Sequence, residues 1–194
     1  MGLCVVSFLL AAWSDPGIVT TANVDTYVEV YCNDGIVYKG GRLCETCKLE
    51  KPARSKHDRS LGKCVAKFDH YCIWLHNAVG ERNYRWFMLF LASHTMMLLY
   101  GTWAVSMHFR HEIETKGLLT QKFRHKASGR VVEGSWGVVF RYFMYTEQEL
   151  MMILVLCAVM GVVVFAFLVY HMYLASMNMT TNETIKLAVL DWQR

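Results

Sequence analysis

The stretch Cys44-Glu-Thr-Cys47-Lys-Leu-Glu-Lys51-Pro52-Ala-Arg54-Ser-Lys-His57-Asp58-Arg-Ser-Leu61-Gly-Lys-Cys64-Val-Ala-Lys-Phe68-Asp69-His70-Tyr71-Cys72 governs the reading of this chain. Its first part is rich in Lys and Arg and poor in large apolar residues, so it cannot fold on a core of its own and needs a staple. Cys44-x2-Cys47-x9-His57-x6-Cys64 supplies one: three thiolates and one imidazole within 21 residues, a set suited to a closed tetrahedral zinc site. Cys72 stands apart as a candidate nucleophile. A free thiol is mostly protonated at neutral pH and needs a base; His70 can take its proton, and Asp69 can fix the imidazole tautomer and stabilise the imidazolium.

Working outward, the stretch is flanked by apolar blocks. Trp86 to Phe109 and Leu150 to Met177 are runs of 24 and 28 residues without an acid, a Lys or an Arg. Both exceed the roughly 20 helical residues that cross a bilayer. A chain of 194 residues could not wrap two helices apolar on all sides, so they are expected to span a membrane. Gly2 to Trp13 is a shorter apolar run, about 12 residues, and is expected to be the end of a truncated helix or an interfacial segment. It lacks the basic n-region and small-residue cleavage site of a secretory signal. Residues 178–194 form a tail. The connecting segment 110–149 is expected to be a surface loop with an amphipathic piece around Val138 to Tyr145. Val24, Tyr27, Val28, Val30 and Tyr31, with turn signals at Asn33-Asp34-Gly35 and Gly40-Gly41, are expected to make short strands within residues 14–43.

Charge narrows the partners. Residues 14–85 hold 11 Lys/Arg against 9 Asp/Glu, and residues 110–149 hold 7 against 5, so the positive-inside rule gives no orientation. Two spans put 14–85 and the tail on one side. The basic balance suits an anionic membrane surface; nucleic acid is excluded, because acids nearly cancel the basic charge of the Cys/His segment. Seven cysteines, an odd number with Cys4 and Cys157 in apolar runs, indicate a reducing compartment for residues 14–85. The same placement sets aside the glycosylation acceptors at Asn178 and Asn182. Histidines in the apolar runs are functional candidates by default; for His94 a helix-packing hydrogen bond is an equal reading, and for His108 and His171 an interfacial position is the expected one.

The whole pattern resembles the DHHC-type protein S-acyltransferases (palmitoyltransferases). The residues that carry the resemblance are Cys44 and Cys47, Lys51-Pro52-Ala53-Arg54-Ser55-Lys56-His57, Lys63-Cys64-Val65, Phe68-Asp69-His70-Tyr71-Cys72, Trp74, Asn77, Val79-Gly80 and Asn83, with Phe87 opening the next helix. Asp15-Pro16-Gly17 and Thr180-Thr181-Asn182-Glu183 match the family's two outlying elements. The resemblance implies an α-helical integral membrane protein with two full transmembrane helices and a short N-terminal apolar helix. Between them it places a small zinc-stapled β-hairpin domain. It implies that Cys72 accepts a fatty acyl group from acyl-CoA and passes it to a protein cysteine. His70 would be the base, Asp69 its orienter, and Thr181 a support near Asp69. It implies one structural Zn2+ on Cys44, Cys47, His57 and Cys64.

The chain departs from the pattern in three ways. A second zinc site of the family falls on Asp58, Leu61, Tyr71 and Ala78, where a Cys, a Cys, a His and a Cys would be expected. The Asp-His-Tyr-Cys form nevertheless occurs among members regarded as enzymes. Ile73 stands where a proline is usual. The family has at least four spans, so a protein partner is expected to replace the missing helix. Two functions follow: an acyltransferase at an ER or Golgi membrane with its zinc domain in the cytosol, or a structural zinc-binding subunit of a larger complex in an organellar membrane such as the mitochondrial inner membrane.

Overall fold

The computed structural model describes residues 1–38, 40–124 and 129–192. The chain divides into two units: Met1–Ser93 together with the chain from Phe167 onward, and His94–Ala166. Helix α1 (Gly2–Trp13) and the short α2 (Val24–Val30) precede two hairpins, β1 (Lys56–Asp58) with β2 (Lys63–Val65) and β3 (His70–Cys72) with β4 (Asn77–Val79). Helix α3 (Tyr84–Lys116), a hairpin of β5 (Lys122–Arg124) and β6 (Val131–Glu133), α4 (Trp136–Thr146), α5 (Gln148–Ser176) and α6 (Thr181–Trp192) follow.

Helices α3 and α5 are long and apolar enough to cross a membrane, and only 17% and 6% of their most apolar windows are buried within the protein. Apolar surface left bare on this scale marks contact with lipid rather than a soluble core. α3 runs two turns beyond the apolar stretch, to Lys116, where Glu112 pairs with Lys116 and Arg110 with Glu114 one turn apart. The amphipathic piece expected near Val138–Tyr145 is α4, whose Val139 and Phe143 pack with Phe109, Leu118 and Met151. Within the same unit, Gly101 of α3 faces Cys157 of α5 closely: a Cβ there would lie 3.1 Å from the Cys157 sulfur.

Residues 24–30 are helical, not strands. Val24, Tyr27, Val28 and Tyr31 stand at i, i+3, i+4 and i+7, a helical period that the interposed Val30 makes look like alternation. Val24 and Tyr27 pack on Val19, Cys44, Cys64 and Ala66, and the Tyr27 and Tyr31 rings stack at 6.4 Å.

The two hairpins are held in place by the chain around them. Asp15 Oδ1 accepts the amides of Gly17 and Ile18, closing a turn in which Gly17 has a φ of +100°. The turn feeds an extra strand-like edge onto β2: Val19 N–H donates to Cys64 O and Ala66 N–H to Gly17 O, both at 2.8 Å. Gly80 passes so close that a Cβ would sit 2.5 Å from Pro16 O and from the Val65 side chain. Asn83 then closes the loop. Its Oδ1 accepts the Gly80 amide, its Nδ2 donates to Ala78 O, and its carbonyl accepts the Phe87 amide at the start of α3. Asn77 Nδ2 caps the end of α1 through Ala12 O and Ser14 O, both at 3.0 Å.

Candidate active site and metal cluster

The Cys/His cluster is built from a knuckle and a hairpin. At the knuckle, Lys48 N–H donates to Cys44 O and Cys47 N–H reaches Cys44 Sγ, with Lys48 in the left-handed region at φ 56°. In the hairpin, His57 and Cys64 are directly opposite across β1 and β2. Together they set the His57 Nδ1 3.5 Å from Cys44 Sγ, 3.3 Å from Cys47 Sγ and 3.8 Å from Cys64 Sγ. Tetrahedral zinc, with bonds near 2.3 Å to sulfur and 2.05 Å to nitrogen, needs N···S separations of roughly 3.6 Å. The three separations from His57 therefore fit a zinc ion with shifts of a few tenths of an ångström, and all four ligand atoms lie within 4.8 Å of one another.

The other four family positions do not make a site. Tyr71 and Ala78 are opposite each other across β3 and β4. Leu61 and Tyr71 pack against the buried Val65, Phe68 and Ala78, an apolar cluster in place of ligands. Asp58 is buried and its Oδ1 accepts the Ser60 amide.

Side chains on a strand alternate, so His70 and Cys72 share one face of β3 while Tyr71 takes the other. That is why residue 71 can change without touching the pair. Asp69 is buried, and its Oδ2 accepts the His70 Nδ1 hydrogen bond at 2.7 Å. Nε2 of the same ring is left free of Asp69, on the face of β3 that Cys72 shares. The ring is walled by Phe87 at 5.1 Å, His171 at 5.7 Å and Phe167 at 6.3 Å.

The tail reaches the pair through a capping box. Thr180 Oγ1 accepts the Glu183 amide, and Glu183 Oε2 accepts the Thr180 amide at 2.9 Å. Thr181 is then the first residue of α6, where the amide has no helical partner, and it donates to Asp69 Oδ1 at 2.9 Å. The backbone of Thr181, not its hydroxyl, makes this contact. Glu183 is anchored in turn by Arg54, whose Nε lies 2.5 Å from Oε1 and Nη2 2.8 Å from Oε2, and by the Tyr38 hydroxyl at 3.0 Å.

These contacts set the charges. Burial would push the His70 imidazole down, but the Asp69 hydrogen bond and the neighbouring Cys72 sulfur outweigh it and lift it to about 9. Burial works against ionised Cys72 too, yet the His70 contact and the Leu75 amide hold its thiol below the ordinary value. Asp69 is lowered despite its burial by His70 and the Thr181 amide. Both shifts run toward a thiolate–imidazolium pair backed by a carboxylate. An open cavity of about 530 Å³ is bordered by Asp69, His70, Thr181 and Ile185.

His171 departs from expectation. It is fully buried beside His70 rather than interfacial, with its Nδ1 3.1 Å from the Tyr84 hydroxyl. A polar residue inside an apolar run was the available signal; its partner, 87 residues away, was not. The clamp of Arg54, Tyr38 and Glu183 was equally out of reach of spacing, because it joins segments 129 residues apart. His108, by contrast, is exposed.

Residues 37–188 match the family model for the DHHC palmitoyltransferase. The chain is 36% identical over 185 residues to palmitoyltransferase SWF1 of Yarrowia lipolytica, covering 95% of this chain and 46% of that protein. It is 31% identical over 180 residues to palmitoyltransferase ZDHHC4 of Rattus norvegicus, covering 92% and 52%. Over 181 residues it is 33% identical to palmitoyltransferase swf1 of Schizosaccharomyces pombe, covering 93% and 46%. It spans about half the length of these curated relatives. With its Cys/His cluster, its Asp-His-Tyr-Cys sequence and two helices long and apolar enough to cross a membrane, this chain belongs to the DHHC palmitoyltransferase family.

Proposed function

We propose that this protein is a membrane-bound protein S-acyltransferase that carries a fatty acyl group on Cys72 between acyl-CoA and a protein cysteine. The observation that supports it best is the Asp69–His70–Cys72 relay, with His70 Nδ1 held by Asp69 at 2.7 Å and the thiol lowered by the same ring. The Cys72 thiolate attacks the thioester carbonyl, forming the new S–acyl bond. The CoA thiolate leaves and takes the proton from the His70 imidazolium. The acceptor cysteine then gives its proton to the neutral His70, its sulfur attacks the acyl–Cys72 carbonyl, and the Cys72 thiolate is restored beside the imidazolium. Asp69 steadies the charged ring in both half-reactions.

Ile73 and Trp74, next to the nucleophile, are 71% and 76% exposed. Large apolar side chains bared there suit a site at the bilayer surface, where a fatty chain can lie in lipid while CoA stays in water. A cytosolic face of an ER or Golgi membrane is the corresponding location. One zinc on Cys44, Cys47, His57 and Cys64 would hold the first hairpin and take no part in the transfer. A purely structural subunit is less well supported, since it needs neither a buried Asp69 nor a lowered thiol.

The test is incubation of the purified protein with labelled palmitoyl-CoA and a cysteine peptide. Label should appear on the wild-type chain, pass to the peptide, and be lost with Cys72→Ser. A folded, zinc-containing sample that takes up no label, or equal label on Cys72→Ser, would overturn the proposal.

A further inference from the structure

Acyl transfer as described leaves His171 without a task. It is buried in α5, its ring edge-on to Phe87 at 5.0 Å and to Phe167 at 4.5 Å. The Tyr84 hydroxyl lies 3.1 Å from Nδ1 and 3.2 Å from the backbone oxygen of His171. A hydroxyl has one hydrogen. Both contacts are made only if the phenol donates to the carbonyl and Nδ1–H donates to the phenol oxygen. That tautomer leaves a lone pair on Nε2, and this nitrogen is buried with no hydrogen-bond partner. An imidazole held through one nitrogen with the other bare is the form in which histidine binds metal.

Its neighbours supply the rest. Ligand atoms of Asp69, His70 and His171 all lie within 4.8 Å of one another. One carboxylate and two imidazoles suit a borderline ion such as Zn2+ better than Mg2+ or Ca2+, which favour all-oxygen shells. We propose that Asp69, His70 and His171 form a second divalent-metal site, selective for zinc-like ions, whose occupancy switches the centre off. Ligand bonds near 2.1 Å bring donors to about 3.3 Å apart, so the three side chains close by roughly 1 Å or less each. The incoming ion displaces the proton that His70 Nδ1 donates to Asp69, and that proton leaves to solvent. His70, with metal on Nδ1, keeps a single proton on Nε2 and can no longer give one up and regain it between the two half-reactions, so loading of Cys72 stops. The site is unlike the Cys/His cluster: three N/O donors and an open position, against four soft ligands and none.

The switching half of this inference rests on the acyltransferase reading; the binding half does not. The full-length protein in detergent, carrying its tightly held zinc, is titrated with Co2+ and Zn2+. Bound metal is followed by visible absorption and metal content, and Cys72 loading by labelled palmitoyl-CoA. Wild type is expected to take up one further ion, released by a chelator too weak to strip the first. His171→Asn should weaken that second ion at least tenfold, and Tyr84→Phe by less. Zn2+ should block loading reversibly in wild type and only at tenfold higher concentration in His171→Asn. Where His171→Asn costs the first zinc, Asp69→Asn, outside the membrane helices, reads the same dependence by metal uptake. A second ion bound equally tightly by these variants, or no second ion at all, overturns the proposal. A second, His171-dependent ion in a protein that never loads acyl groups, even with chelator, upholds the site and instead defeats the acyltransferase reading.

Discussion

The two small hairpins of this protein are built alike and held differently. Each is a ladder of three residue pairs. The central pair of the first is His57 with Cys64, two members of the Cys/His cluster. The central pair of the second is Tyr71 with Ala78, part of an apolar cluster with Leu61, Val65 and Phe68. One hairpin is stapled by metal ligands and the other by burial. In the proposed mechanism the second carries the chemistry, because alternation along β3 turns His70 and Cys72 away from the face where the staple sits. A hairpin can therefore lose one kind of staple for another while its reactive face stays in register.

The comparison breaks most decisively at the first hairpin. Cys64→Ser removes a ligand from a segment with little core of its own, and structural zinc sites supply on the order of 10 kcal/mol to folding. The variant should lose its zinc and its cooperative melting transition, and with them any acyl loading; retention of zinc at full occupancy would contradict the staple.

At the second hairpin the expected damage is chemical rather than structural. Asp69→Asn keeps the shape but leaves the His70 imidazolium without its carboxylate, and should slow Cys72 loading by roughly 10²–10⁴-fold with zinc content unchanged. The pH profile sharpens the same point. Loading should rise as pH climbs through the depressed thiol value of Cys72, then fall as pH passes about 9 and His70 loses its proton. In Asp69→Asn the falling limb should move to lower pH, since the carboxylate that raises His70 is gone. A profile with one rising limb at the ordinary thiol value would argue against the pair.

Smaller effects test the apolar staple and the clamp on the tail. Leu61→Ala should cost about 1–3 kcal/mol, read by denaturant melting, with zinc still bound. Glu183→Gln should cost about 1–3 kcal/mol, because it leaves the half-buried Arg54 without its charged partner. Burial opposes ionised Glu183, but Arg54 and the Thr180 amide hold its carboxyl below the ordinary value. A depressed carboxyl stabilises the fold above its unfolded value and loses that contribution as pH falls through the folded one. The wild-type advantage over Glu183→Gln should thus vanish in acid. Tyr71→Phe, which removes only a 3.3 Å contact to His76, should change stability by under about 1 kcal/mol and leave loading intact.

Much of this was written locally in the chain. Cys44, Cys47, His57 and Cys64 declare themselves by type and spacing, and the two spans by unbroken apolar runs. Thr180 and Glu183 are a capping box legible from spacing alone. What could not be read depends on which distant segments meet. The four positions of the second site read as a loss, and only the packing of Leu61, Tyr71 and Ala78 on Val65 and Phe68 makes them a replacement. His171 read as interfacial because nothing nearby marks it as a neighbour of His70. Residues 24–30 read as strand because five apolar residues in eight satisfy both periods, and the choice falls to Val24 and Tyr27 finding a shared core.

The most direct measurement is native mass spectrometry of the intact protein after exposure to palmitoyl-CoA, followed by mapping of the acylated peptide. The expected result is one tightly held zinc and one hydroxylamine-labile acyl group on Cys72 in the same molecule. A folded chain with its zinc and no acyl group, or with the acyl group on another cysteine, would contradict the assignment of the chemistry to the second hairpin.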